Sequence, residues 1–124
     1  MRINVWSYQE EYKRYRKQIL KEVDKVFCSG HLILGNNVKS LEFNFSKYLK
    51  LKYGIGVNSG TDALQIALMS AKIRRGDEVI TVPNTAVPTV SAIVSCGAKP
   101  VFVDINKEDY LINVNKIESS ITKK

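Results

Sequence analysis

"YGIGVNSGTDALQIAL", residues 53–68, places three glycines and a Ser-Gly-Thr-Asp run ahead of an apolar-periodic segment. The fold turns on how its two halves are read. "YGIGVN" has the apolar character of a short buried strand, and "TDALQIALMSAKI" that of a helix with Leu64, Ala67, Leu68 and Ala71 on one face. Between them, Ser59-Gly60-Thr61-Asp62 matches the [ST]-x-x-[DE] capping box that starts many helices. The same residues suit an anion. Gly60 would permit a tight turn, and the free N–H groups of Thr61 and Asp62 would face outward at the positive end of the helix dipole. The hydroxyls of Ser59 and Thr61 would add donors, while the Asp62 carboxylate would repel a phosphate and leave only its backbone N–H to help. Cap and phosphate cradle both stay open on these residues. A dinucleotide loop does not fit, because Gly54, Gly56 and Gly60 give G-x-G-x-x-x-G, one residue too long. No Walker lysine follows, so a P-loop fails too.

Downstream the same rhythm repeats. "RRGDE" reads as a turn, "EVITV" as a β-branched strand, and "TAVPTVSAIVSCGA" as a helix with Pro88 in its first turn and Gly97 just past its end. "KPVFVDI" forms a third expected strand, and "NVNKIESSI" opens a further helix capped by Asn113. Strand-helix-strand-helix-strand with short loops implies a parallel sheet with crossover helices. Apolar character on both strand faces suits a sheet covered on two sides. Upstream, an amphipathic helix is expected from Ser7 to Phe27, on the spacing of Tyr8, Tyr12, Tyr15, Ile19, Val23 and Val26. After "CSGHLILG", a short extended piece bracketed by glycines, Asn36 or Asn37 would cap a second helix striped by Val38, Leu41, Phe45, Tyr48 and Leu49.

The 124 residues suit one domain, and 44% apolar with 25% charged residues is a globular composition. No apolar run approaches a membrane span, and "MRINVWSYQEEYKRYRKQ" lacks the apolar core of a signal peptide, so a cytoplasmic protein without membrane contact is expected. Cys28 and Cys96 have no CxxC spacing, and His31 near Cys28 does not make a metal site; both read as ordinary thiols of a reducing compartment, and no metal is expected. Much of the net charge of +7 comes from helical-looking segments (Lys13, Arg14, Arg16, Lys17, Lys21, Lys25) and from the terminal Lys123 and Lys124; Glu10, Glu11, Glu22 and Asp24 are interleaved with the first of these, a solvated face rather than a nucleic-acid surface. An acidic small-molecule partner is compatible with that charge. Three strands with unpaired edges make a poor closed sheet. The expected organisation is therefore a single incomplete domain over 1–124: leading helices and an interface loop in 1–52, and a βαβαβ portion in 53–124.

Taken together, "GVNSGTDALQIAL", "GDEVITVPNTAVPTVSAI" and "GAKPVFVDI", preceded by "SGHLILGNNVKSLEFNFSKYL", resemble the amino-terminal part of the DegT/DnrJ/StrS sugar aminotransferases over nearly the whole chain. The resemblance implies fold type I of the pyridoxal 5′-phosphate (PLP) enzymes, an α/β fold of which this chain would form part of the large domain. It implies amino transfer from an amino acid, glutamate, to a nucleotide-linked (dTDP) keto-6-deoxyhexose at C3, in a homodimer. Ser59, Gly60, Thr61 and Asp62 would then hold the cofactor phosphate. Ala86 would occupy the place where many members carry an aromatic residue stacked on the pyridine ring. Asn84 and Thr85 would contact cofactor or substrate, or serve only as turn and cap residues. His31 in "GHLILG" would approach the substrate or a partner subunit, or be an exposed loop residue. None of Lys99, Lys107, Lys116, Lys123 and Lys124 lies in the family's Schiff-base motif, so no catalytic residue is assigned in this chain, and the fragment is expected to be inactive alone. The rival reading is a non-catalytic α/β phosphate-binding module or a decayed remnant.

Overall fold

The computed structural model describes residues 6–124, which divide after Gly56 into two compact units.

The first unit is helical. Helix α1 spans Gln9–Ser29, with Glu10 and Glu11 in its first turn, where carboxylates favour the positive end of the dipole. Gly30 ends it in the left-handed region. The Lys13–Glu10 and Lys25–Glu22 ion pairs on its surface are exposed and contribute little. Helix α2 spans Asn36–Tyr48. Neither asparagine caps it: Gly35 holds the N-cap, and its carbonyl accepts from the N–H groups of Val38 and Lys39. The sequence also misjudges which face of α2 turns inward. Val38 and Glu42 are half-buried and Ser46 is buried, a run at four-residue steps, whereas the apolar stripe is open at Leu41 (61% exposed), Phe45 (56%) and Tyr48 (80%).

The second unit carries α3, Gly60–Ser70, then β1, Glu78–Thr81, then α4, Val87–Ser95, then β2, Lys99–Phe102. The strands pair in parallel, Glu78 opposite Lys99 through Thr81 opposite Phe102. Pro88 lies in the first turn of α4, where no N–H is needed. Ala92 and Ile93 of α4 are buried with Ala98 and Val103, and α4 packs on both α3 and β2.

Two expectations fail in this unit and at its border. The βαβαβ arrangement shrinks to two parallel strands, because residues 53–58 form none. An apolar segment becomes a strand only where a neighbour completes its ladder, and here none does: Tyr53 and Ile55 are 72% and 79% exposed. The segment after Asn113 is not an α-helix but two 3-10 turns, Val114–Lys116 and Glu118–Ser120. Asn113 does cap the first, its side chain accepting the Asn115 N–H.

Three helices share one ending. After α4, the Gly97 N–H donates to the Val94 carbonyl and the Ala98 N–H to that of Ile93, with Gly97 at φ +76°: the Schellman arrangement, which Gly97 was expected to allow. After α3 the same pair of bonds runs from Lys72 to Met69 and Ile73 to Leu68. After α2 it runs from Lys50 to Lys47 and Leu51 to Ser46. There the left-handed residue is a lysine.

Candidate functional site

Ser59 is extended (φ −155°, ψ 166°), so its side chain can reach forward over the first turn of α3. Its Oγ accepts the Asp62 N–H at 3.1 Å, and its hydroxyl donates to Asp62 Oδ2 at 2.8 Å. The capping reading of the motif is therefore realised. It leaves a different pair of donors from the one the sequence suggests: the Asp62 N–H is taken, and the Ala63 N–H donates to the Ser59 carbonyl at 3.0 Å. Gly60 and Thr61 keep N–H groups with no hydrogen-bond partner among the described residues. Both lie where the helix dipole is positive.

Gly60 has a role other than the one expected of it. Its φ lies outside the left-handed region, so the turn does not require glycine. A Cβ built on it would meet no atom within 4 Å. What its missing side chain leaves is open space beside its own backbone, next to the two donors in the chain.

The second cluster precedes α4. Asn84, Thr85 and Ala86 are exposed in the loop that leaves the carboxyl end of β1, the end of a parallel sheet where ligands bind. Thr85 is locally engaged: its N–H donates to the Pro83 carbonyl at 3.0 Å, and its Oγ1 lies 2.8 Å from Thr89 Oγ1. Ala86 is the N-cap of α4, with no side chain to bond the first turn. Cys96 Sγ lies 3.7 Å from the Gln65 carbonyl, and a Cβ on Gly97 would lie 3.2 Å from that of Arg75. These contacts join the carboxyl end of α4 to the middle of α3 and to the loop that follows it.

His31 belongs to the first unit. It is exposed, with Nδ1 3.0 Å from the Ser29 carbonyl, in a cleft of about 430 Å³ also lined by Lys25, Gly35 and Lys39. Sequence reading missed Glu42. Its carboxylate accepts the Gly56 N–H at 2.7 Å, and its only signal in the sequence is that it is the one acidic residue of α2, set four residues after Val38.

Tested against a phosphate group, the start of α3 fits: two unpaired N–H donors, the hydroxyl of Thr61, and no atom within 4 Å of where a Gly60 side chain would begin. Nothing at Ala86 could stack on a ring. Among the described residues no group of three His, Cys, Asp or Glu side chains could hold a metal ion, and no helix is long and apolar enough to cross a membrane.

These features belong to part of an α/β scaffold rather than to an isolated loop motif, and comparison with known proteins gives the family. Residues 13–124 match the DegT/DnrJ/EryC1/StrS aminotransferase family, and the chain belongs to it. A relative from Micromonospora megalomicea subsp. nigra, dTDP-3-amino-3,4,6-trideoxy-alpha-D-glucose transaminase, is 49% identical over 118 residues, 95% of this chain and 32% of its own length. S. venezuelae DesV, whose crystal structure is in complex with a ketimine intermediate, superimposes with a TM-score of 0.94 at 31% identity, over 98% of this chain and 33% of that one. The Bacillus subtilis protein ntda, solved with bound cofactor PMP, superimposes with a TM-score of 0.86 at 34% identity, over 89% of this chain and 25% of its own. The chain thus spans about a third of the length of the relatives it matches.

Proposed function

We propose that this chain is the amino-terminal portion of a PLP-dependent aminotransferase that aminates the keto group of a dTDP-linked 6-deoxyhexose at C3, in amino-sugar biosynthesis. The observation that carries the reading is the start of α3: two unpaired backbone donors and open space, in a chain of this family. The nucleotide and the sugar rest on the resemblance and on what the Micromonospora relative is named for.

The cofactor, when bound, supplies the electron sink for moving an amino group. The chain's own residues do the holding. The Gly60 and Thr61 N–H groups and the Thr61 hydroxyl bind the phosphate, Ser59 and Asp62 fix the turn that presents them, and Asn84 and Thr85 face the substrate side. Ala86, at the place where many members carry an aromatic residue, would offer a bound pyridine ring no stacking partner. His31 serves the substrate or the partner subunit in a cytoplasmic homodimer. Glutamate gives up its amino group and leaves as 2-oxoglutarate, while the sugar ketone becomes an amine.

The test is the purified full-length gene product with PLP, glutamate and a dTDP-3-keto-6-deoxyhexose. The expected result is equimolar 2-oxoglutarate and dTDP-amino sugar by mass spectrometry. A PLP-loaded protein that converts no keto sugar with any amino acid would overturn the reading. Borohydride reduction of the 124-residue chain mixed with PLP should label no single lysine. One lysine labelled stoichiometrically would place the catalytic centre in this chain after all.

A further inference from the structure

Gly54 and Gly56 resemble a nucleotide-loop motif in the sequence yet lie in no such loop, and the structure gives them another use. A Cβ on Gly54 would lie 2.6 Å from the Glu42 carbonyl oxygen, a separation that real Cβ atoms do not show; the backbone of residue 54 lies directly on α2. Two residues on, the Glu42 carboxylate accepts the Gly56 N–H at 2.7 Å, and a Cβ on Gly56 would be 3.4 Å from both Glu42 Oε1 and Val38 Cγ1. The segment 53–58 has no strand ladder to hold it, so this charge-assisted bond is its anchor within the first unit. Only Val57 and Asn58 separate Gly56 from the Ser59 cap.

We infer that Glu42 is a positioning residue. By tethering the Gly56 N–H to α2 it fixes the backbone that enters the Ser59–Asp62 turn, and so sets how well that turn presents its donors to a phosphate. It touches no ligand itself. The inference rests on the proposed function only for the identity of that phosphate.

The test compares Glu42→Ala, which loses the acceptor, with Glu42→Gln, which keeps an oxygen at the same reach, in the full-length protein. Two readouts are taken: amide hydrogen exchange at Gly56, Asp62 and Ala63 without cofactor, and the PLP dissociation constant by absorbance titration. In Glu42→Ala, all three amides should lose protection and the dissociation constant should rise about tenfold or more, the worth of a hydrogen bond to a charged group. Glu42→Gln should recover most of both, a rescue that general loss of packing would not give. If Asp62 and Ala63 respond in that pattern while the wild-type protein binds no PLP, the positioning role stands and the aminotransferase reading falls. If Gly56 loses protection in Glu42→Ala while Asp62, Ala63 and PLP affinity are unchanged, the tether does not reach the turn and the inference is overturned. Equal losses in both variants would also overturn it.

Discussion

Replacing Gly60 by alanine separates the two uses of the start of α3 more cleanly than any other change. The added methyl meets nothing within 4 Å, and the backbone there is not left-handed, so folding should tolerate it. Stability should stay level or rise by about 0.5–1 kcal/mol, since alanine in a helix loses less conformational freedom than glycine. A phosphate seated on the Gly60 and Thr61 N–H groups must come within about 2.9 Å of those nitrogens, where the methyl intrudes. Two donors to a charged group are available, because the third, on Asp62, is held by Ser59 Oγ. Forfeiting one of the two costs about 1.5–3 kcal/mol, or roughly ten- to a hundredfold in affinity. Gly60→Val should do worse, its branches filling more of the space. Thr61→Ala removes one neutral hydrogen bond, about 0.5–1.5 kcal/mol. Asp62→Asn should matter least, since it keeps an acceptor for the Ser59 hydroxyl and removes a charge that repels phosphate. Titration of each cofactor-free full-length enzyme with PLP, beside a thermal melt, gives the order. If Gly60→Ala binds PLP like the wild type, Ser59–Asp62 is a helix cap and nothing more; if it melts well below wild type, the open space inferred in front of it is wrong.

Gly97→Ala should cost about 1–2 kcal/mol in urea titrations, because the residue sits at φ +76° and its Cβ would press on Arg75; an unchanged midpoint would refute the strain. Glu78 gives the acid limb of stability. The Thr122 hydroxyl first, and then the Lys99 ammonium, hold its carboxyl below the usual carboxylate range. A depressed folded pKa means that its contribution is complete above the unfolded value of about 4.3 and is lost as pH falls through the folded one. Glu78→Gln should therefore flatten the decline of stability below about pH 5, and parallel profiles for mutant and wild type would count against the cluster. The 124-residue chain alone should bind a hydrophobic dye or self-associate through residues such as Phe45 and Tyr48; a monodisperse monomer with a sharp melt would contradict this.

What was legible in the sequence was local. The cap at Ser59, the proline in the first turn of α4 and the left-handed stop at Gly97 depend on residues within one turn of each other, and each is found as read. The expected strand at 53–58 failed because a strand is a property of two segments, and this one has no partner. The inward face of α2 was misjudged for a related reason. Hydrophobic spacing marks Leu41 and Phe45 as buried, but the neighbour that fixes the face is the backbone of 54–56, which calls for an acceptor at Glu42 and lets those apolar side chains stay open. At the candidate site the cap was readable, whereas the choice of free donors was not. It depends on where the Ser59 hydroxyl turns, and it turns to Asp62.

The lysines that close α2 and α3 have a consequence for how this protein can change. Lys50 and Lys72 hold backbone angles of φ +56° and +63°, a conformation that costs a side-chain-bearing residue about 1–2 kcal/mol. A cation at the carboxyl end of a helix recovers only about 0.3–1 kcal/mol of that. Glycine at both positions, after its own entropy in the unfolded chain is counted, leaves a small net gain at each. The chain thus carries an unused thermal reserve at two helix ends, outside the Ser59–Asp62 turn. A lineage moving to warmer surroundings could draw on it through single-codon drift without altering that turn.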